Sequence, residues 1–374
     1  MNSGQELFLG MLSGTSRDGV DTVLVRFEPD QPQLLASLCV AYPANLAEML
    51  RRTIHRRRRP DQAELELMDK DLAEFFALAA WALLDRAGVT ASDVTAIGSH
   101  GQTVWHQPVK PKPESIQLGD PRRIANLTGI RTVGHFRRAD LAAGGQGAPL
   151  APLMHAALLK PANGVRAVLN LGGIANISLL NATGTVVGYD IGPGNCLLDA
   201  WISRHKGCSY DEDGQWAAGG EVDTGLLELL HSDPYFNLRP PKSTGVEHFN
   251  LHWLQQRLDE RKPHTRAASY RDIQATLSEL TAQSIAMAVN KTAMDELLIC
   301  GGGVHNLNLL KRIRRLLPGK RVETTASCGI DPDWMEGILF AWLARERLAG
   351  HMQDTRCITG AREPILLGEV FEPG

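Results

Sequence analysis

The chain has 374 residues, 43% of them hydrophobic and 22% charged, with a formal net charge of −3. That is ordinary globular composition in a chain longer than one hydrophobic core usually spans, so two domains are expected. The charge balance points away from a nucleic-acid or anionic-membrane partner. The six cysteines Cys39, Cys196, Cys208, Cys300, Cys328 and Cys357 form no C-x-x-C pair and no zinc spacing, which fits a reducing compartment. The segment Met1-Asn2-Ser3-Gly4-Gln5-Glu6 lacks a basic region followed by a long apolar run, and no apolar stretch is long enough to cross a bilayer. A soluble, cytoplasmic protein is expected.

In chain order, Leu7 to Leu12 and Val20 to Phe27 read as two strands of a hairpin around the polar loop Ser13 to Gly19. Asn45 is placed to cap a helix through the Arg51 region. Asp61, after Pro60, is placed to cap a long helix through Leu84 that Gly88 stops. The run His55-Arg56-Arg57-Arg58-Arg59 reads as a solvated, charge-rich helix end. Val94 to Ser99 is a strand ending at His100-Gly101-Gln102-Thr103. In the second half, Ala167 to Leu171 and Ile174 to Leu180 are strands about Gly172-Gly173. Asp272 caps a helical pattern through Val289, and Leu297 to Cys300 is a strand broken by Gly301-Gly302-Gly303. Asp331-Pro332 starts a helix that ends near Gly350. Strands alternating with helices indicate α/β architecture. No sequence repeat is visible, yet both halves open as strand, small-residue loop, strand, which suggests structural duplication.

Four glycine-rich stretches carry the chemistry. In Gly14-Thr15-Ser16-Arg17-Asp18-Gly19-Val20-Asp21, glycines admit backbone N–H groups to a phosphate, Thr15 and Ser16 add hydroxyls, and Asp18 and Asp21 are acceptors for hydrated magnesium. Taken alone this loop is most simply a hairpin turn, and no Walker loop occurs in the chain. Asn170-Leu171-Gly172-Gly173 is its counterpart, a second phosphate cradle or a tight turn. Asp190 precedes a Gly192-Pro193-Gly194 turn and the helix cap Asn195, where it serves either as a base within reach of substrate or as a cap of the turn. Gly301-Gly302-Gly303 allows close approach of a flat ring or phosphate but lacks the spacing of a dinucleotide site. Gln102, Thr103, Arg137, Arg138 and Asp140 offer groups for a sugar or a carboxylate, the arginines being equally suited to ion pairs. Glu336 starts an amphipathic helix, where it suits the helix dipole.

In their order, these blocks resemble the anhydro-N-acetylmuramic acid kinase family. The resemblance rests on Met11 to Asp21, Gly98 to Thr103, Arg137 to Pro149, Asn170 to Gly173, Gly192 to Asn195, Gly301 to Gly303 and Trp334 to Gly337, and so covers nearly the whole chain. It departs from the family pattern at Arg17, commonly apolar there, and at Ile191, commonly Thr. The resemblance implies two RNase-H-like domains around a cleft, the actin/hexokinase/Hsp70-type sugar kinase architecture. The expected domains are 1–133, completed by 354–374, and 134–353. By resemblance, Gly14, Thr15, Ser16, Asp18, Gly19 and Asp21 bind the phosphates of ATP. Gly172 and Gly173 form the second phosphate loop, and Gly301, Gly302 and Gly303 face the adenosine. Asp190 matches the catalytic base, and Gln102, Thr103, Arg137, Arg138, Asp140 and Glu336 face the sugar. Magnesium is expected on the ATP phosphates and water, near Asp18, with no direct protein ligand set.

The implied reaction opens the 1,6-anhydro ring of anhydro-N-acetylmuramic acid and phosphorylates O6, in peptidoglycan recycling. A homodimer is also implied. Two other readings of the same loops are a conventional amino-sugar kinase, in which Asp190 deprotonates an existing hydroxyl, and a nucleotide-gated sugar sensor without turnover.

Overall fold

The computed structural model describes residues 6–14, 19–28, 31–55, 58–107, 113–261 and 268–374. The chain divides into two compact units, Met1–Leu158 with Trp334–Gly374, and Leu159–Asp333.

In the first unit the strands are β1 (Leu7–Ser13), β2 (Gly19–Phe27), β3 (Pro32–Ala41), β4 (Val94–Gln107), β5 (Glu114–Leu118) and β6 (Thr132–Gly134). The second unit contains β7 (Val165–Leu171), β8 (Ile174–Asn181), β9 (Val186–Pro193), β10 (Glu296–Cys300) and β11 (Arg321–Thr324). A last strand, β12 (Glu369–Phe371), returns to the first sheet and pairs with β6.

The two sheets have one plan. The first runs β3-β2-β1-β4-β6, and the second runs β9-β8-β7-β10-β11. In each, the first three strands in sequence form an antiparallel meander, and two later strands extend the sheet in parallel from its first strand, β4 then β6 and β10 then β11. This order and sense is that of an RNase-H-like domain, so the duplication suggested by the element order is present in the topology. The architecture is α/β, with two units of this RNase-H-like topology.

Local sequence explains the elements. Helix Gln62–Ala87 opens on a reciprocal capping box between Asp61 and Glu64 and stops at Gly88, which is left-handed at φ 65°. Its inner face carries Leu72, Phe76 and Leu83, each 0% exposed, against the first sheet. Burying each such side chain is worth roughly 1.5–3 kcal/mol. Helix Met335–Leu348 also packs on β1 and β4. It lies so close that a Cβ on Gly10 would collide with the Gly337 carbonyl, and one on Gly98 with the Phe340 carbonyl. Helix Tyr270–Asn290 is buried on almost every turn in the core of the second unit.

Four readings need correction. Helix Ala44–His55 begins before Asn45, with the Pro43 carbonyl accepting from Ala47 N–H at 3.0 Å. Ser269, not Asp272, is the N-cap of helix Tyr270–Asn290, and Asp272 is the reciprocal member of its capping box. Asp331-Pro332 forms a turn before the last long helix, which starts at Met335. Strand β4 continues past Ser99 to Gln107, because Gly101, at φ 75°, lets it turn and pair with β5. The domain bounds differ as well. Residues 134–158 and 334–353 group with the first unit, since the helix at 335–348 covers the first sheet. Of the arginine run, Arg56 and Arg57 lie outside the described residues, and Arg59 pairs with Glu114 at 2.8 Å.

Candidate active site

The second unit brings three of the glycine motifs to one end of one sheet. β7 and β10 are parallel, with Asn170 opposite Cys300, so Gly172-Gly173 and Gly301-Gly303 both leave the carboxyl ends of their strands. This is where open α/β sheets bind ligands. β8 starts just after Gly173 and pairs with β9, placing Asn176 opposite Asp190 and Ile174 opposite Pro193. The turn after Asp190 then folds back onto the loop. Gly194 N–H and Cys196 N–H donate to the Gly173 carbonyl at 2.9 and 3.1 Å, and Asn195 N–H donates to the Gly172 carbonyl at 2.9 Å. The Asn195 side chain donates to the Leu171 carbonyl at 3.2 Å. From the far side, Thr281 Oγ1 donates to the Pro193 and Gly194 carbonyls at 3.1 and 3.0 Å.

The glycines in these loops have different tasks. A Cβ on Gly194 would strike the Gly172 carbonyl, and one on Gly303 the Leu171 side chain, so these two permit close packing. Gly301, at φ 82°, is pressed against the Asn170 side chain and donates its N–H to Pro332 at 2.8 Å. A Cβ on Gly302 meets nothing within 4 Å, and one on Gly172 nothing closer than 3.7 Å. These two therefore face open space, as a phosphate or ring cradle requires. Gly302→Ala should leave the melting temperature unchanged while weakening ATP binding in calorimetry. Gly303→Ala should lower the melting temperature. Unchanged ATP affinity in a Gly302→Ala protein would remove Gly302 from the nucleotide site.

Asp190 lies within β9, not at its end, and is half-buried. Ile191 is the extra residue of a bulge there, since Gly192 faces Ala175 while Asp190 faces Asn176. The bulge turns Asp190 relative to the strand on either side, a common device beside active sites. Its Oδ2 accepts from Thr244 N–H at 3.0 Å. One turn into the next helix, Asp199 is pushed up to about 7, first by burial and second by the Asp211 carboxylate.

In the first unit, Thr15, Ser16 and Asp18 lie outside the described residues. Gly14 follows β1. Gly19 opens β2, where a Cβ would collide with the Val40 carbonyl, so this glycine is needed for pairing with β3. Asp21 is half-buried in β2 opposite Leu12. Gln102 is 2% exposed and accepts from Ser13 Oγ at 2.7 Å, joining the β4 block to the start of the first loop. Thr103 Oγ1 accepts from Gln117 at 3.3 Å. Arg137 stands near His100. Burial first, and the Arg137 charge second, bring that ring down to about 3, so it is neutral at physiological pH. Arg138 is exposed, pairs with Glu369 at 3.5 Å, and borders a depression of about 440 Å³ shared with Glu114, Gln117 and His135. Glu336 is exposed in the first turn of its helix. Among the described residues, no three His, Cys, Asp or Glu side chains gather as a metal site.

Asp140 departs from expectation. It is 0% exposed, and its carboxylate accepts from Thr355, Thr359 and Gly147 at 2.6, 2.7 and 2.7 Å. The chain itself occupies this carboxylate, so Asp140 holds the loop after Arg137-Arg138 in place. The neighbours of Asp190 at Tyr235, Lys242 and Thr244 went unseen in the sequence. They lie in a stretch without periodicity, in which Pro240-Pro241 before Lys242 marks only a loop.

Within the second unit, the blocks at Asn170, Gly192 and Gly301 therefore converge in space. The sequence profile described as anhydro-N-acetylmuramic acid kinase matches residues 6–373. The chain belongs to the anhydro-N-acetylmuramic acid kinase family. It is 45% identical over 369 residues to the anhydro-N-acetylmuramic acid kinase of Shewanella sp. (strain MR-4), covering 97% of this chain and 98% of that one. It is 46% identical over 370 residues to the protein of that name from Xanthomonas axonopodis pv. citri (strain 306), covering 98% of each. Among solved structures, component A of the Acidaminococcus fermentans (R)-2-hydroxyglutaryl-CoA dehydratase is similar at a TM-score of 0.47 and 12% identity, covering 90% of this chain and 96% of that one.

Proposed function

We propose that this member of the anhydro-N-acetylmuramic acid kinase family opens the 1,6-anhydro ring of its sugar and phosphorylates O6 at the expense of ATP, giving N-acetylmuramic acid 6-phosphate for cell-wall recycling in the cytoplasm. The observation that carries the reading is the meeting of the turn that follows Asp190 with Gly172-Gly173, beside Gly301-Gly303, at one end of one sheet. Homodimer assembly rests on the family resemblance.

Asp190 takes a proton from water as the water oxygen bonds to the anomeric carbon. The bond from that carbon to O6 breaks, and O6 accepts the γ-phosphoryl group as ADP leaves. ATP with magnesium supplies the phosphoryl group and the countercharge. The open faces at Gly172 and Gly302 are the places for phosphate and adenosine. Gly14 to Asp21 and magnesium near Asp18 complete the reading for the first unit. Positioning and electrostatics do most of the catalytic work in such transfers.

The mechanism is tested with oxygen-18 water. Early product should carry label on the anomeric oxygen, while the bridge from O6 to phosphorus keeps substrate oxygen. Unlabelled product held in labelled water sets the background from slow anomeric exchange. Early product without label above that background excludes the hydrolytic step and leaves a conventional amino-sugar kinase.

A further inference from the structure

Asp190 sits on the edge strand of its sheet, where backbone groups would ordinarily face solvent. Instead, one segment grips it at three points. Tyr235 Oη donates to the Asp190 carbonyl at 2.7 Å, and Asp190 N–H donates to the Lys242 carbonyl at 3.1 Å. Thr244 N–H donates to Asp190 Oδ2 at 3.0 Å. The segment is closed on itself by Lys242, whose Nζ donates to the Tyr235 carbonyl at 3.1 Å and lies 4.4 Å from the centre of the Tyr235 ring. Its base is fixed by Asp233, 3% exposed, which accepts from Trp253 Nε1 at 2.8 Å, Tyr235 N–H at 3.0 Å and His248 Nε2 at 3.1 Å.

We propose that residues 235–244 form a clamp that sets the direction of the Asp190 carboxylate, with Lys242 as its fastener. The inference rests on Asp190 being the base. A strand bond to Asp190 N–H alone would fix the backbone and leave the carboxylate free to turn about χ1 and χ2. The Thr244 N–H removes that freedom by holding one oxygen. The place of Thr244 depends in turn on the fold-back between Lys242 and Tyr235. None of these contacts involves Gly172, Gly173 or Gly301 to Gly303, so the clamp acts on the proton-transfer side of the site and not on nucleotide binding. Tyr235 and Lys242 are positioning residues.

Lys242→Met keeps the aliphatic stem and removes the ammonium. With anhydro-N-acetylmuramic acid as substrate, kcat should fall on the order of 10- to 100-fold, while KM for ATP stays within about twofold. Lys242→Arg, which keeps the cation and a donor, should recover most of the loss. Tyr235→Phe, which removes only the hydroxyl on the Asp190 carbonyl, should lower kcat in the same direction. In an Asp190→Asn background, Lys242→Met should cause no further loss of the residual turnover. Wild-type kcat in both single variants would overturn the clamp and leave the base reading standing. A full extra loss in the Asp190→Asn background would also overturn it, since Lys242 would then act on substrate directly. Undiminished turnover in Asp190→Asn alone would remove the base reading and the clamp with it.

Discussion

Asp190→Asn should reduce turnover on the order of 100- to 10,000-fold and leave ATP affinity near that of the unchanged protein. The substitution is close to isosteric. An Asn side-chain oxygen can still accept from Thr244 N–H, and the backbone bonds to Tyr235 and Lys242 do not involve the side chain. What is lost is the ability to take a proton. The loops assigned to ATP are held by contacts among Gly172, Gly173, Gly194 and Asn195, and these are unaffected. ATP titration by calorimetry and ADP release with anhydro-N-acetylmuramic acid therefore separate the two functions. A variant with normal turnover would show that Asp190 is not the base. A variant that lost ATP binding in proportion would show that it belongs to the nucleotide site. A nucleotide-gated sensor would behave in a third way, with its response to sugar intact.

Much of this site was legible because glycine-rich turns after short apolar runs have few structural meanings. The hairpin of β1 and β2, the helix from Asp61 to Gly88 and the strand ends at Gly172 and Gly301 all follow from local rules. The duplicated sheet was visible only as a repeated order of elements, since the two halves share a topology and not a sequence. Two kinds of feature were hidden. The first is the task of each glycine: Gly302 and Gly303 are neighbours, yet one faces open space and the other the Leu171 side chain. Only the path of a distant strand decides this. The second is burial of a polar group. Helix starts at Asn45, Asp272 and Asp331-Pro332 looked alike in sequence, yet Ser269 takes the cap from Asp272, and the other two helices begin at Ala44 and Met335. Likewise, the aspartate that follows Arg137-Arg138-Ala139 reads as a group offered to a sugar until Thr355 and Thr359, more than two hundred residues away, are brought against it.

Asp140→Ala should cost about 3–5 kcal/mol of stability, because it strips buried donors of a charged acceptor. The carboxylate joins helix Phe136–Ala142 to the Thr355–Thr359 turn and to the Gly144–Gly147 loop, and all its partners lie in the first unit. After truncation, Thr359 Oγ1 keeps a longer bond to the Thr355 carbonyl at 3.2 Å, but Thr355 Oγ1 and Gly147 N–H lose the acceptor they share. Asn is a poor substitute. Its amide can offer an acceptor to the two threonines only by turning a second donor toward Gly147 N–H, so Asp140→Asn should lose a large part of the same stability. The packing there is close: a Cβ on Gly145 would collide with Asp140 Oδ2, so the Gly145 backbone lies directly against the carboxylate that the truncation removes. Thermal and denaturant unfolding measure the effect, with steady-state kinetics at a temperature where the variant is folded. A residue that touched the sugar would behave oppositely, raising KM for the sugar with the melting temperature unchanged. That result would return Asp140 to the substrate site and show that the two threonines find other acceptors without it.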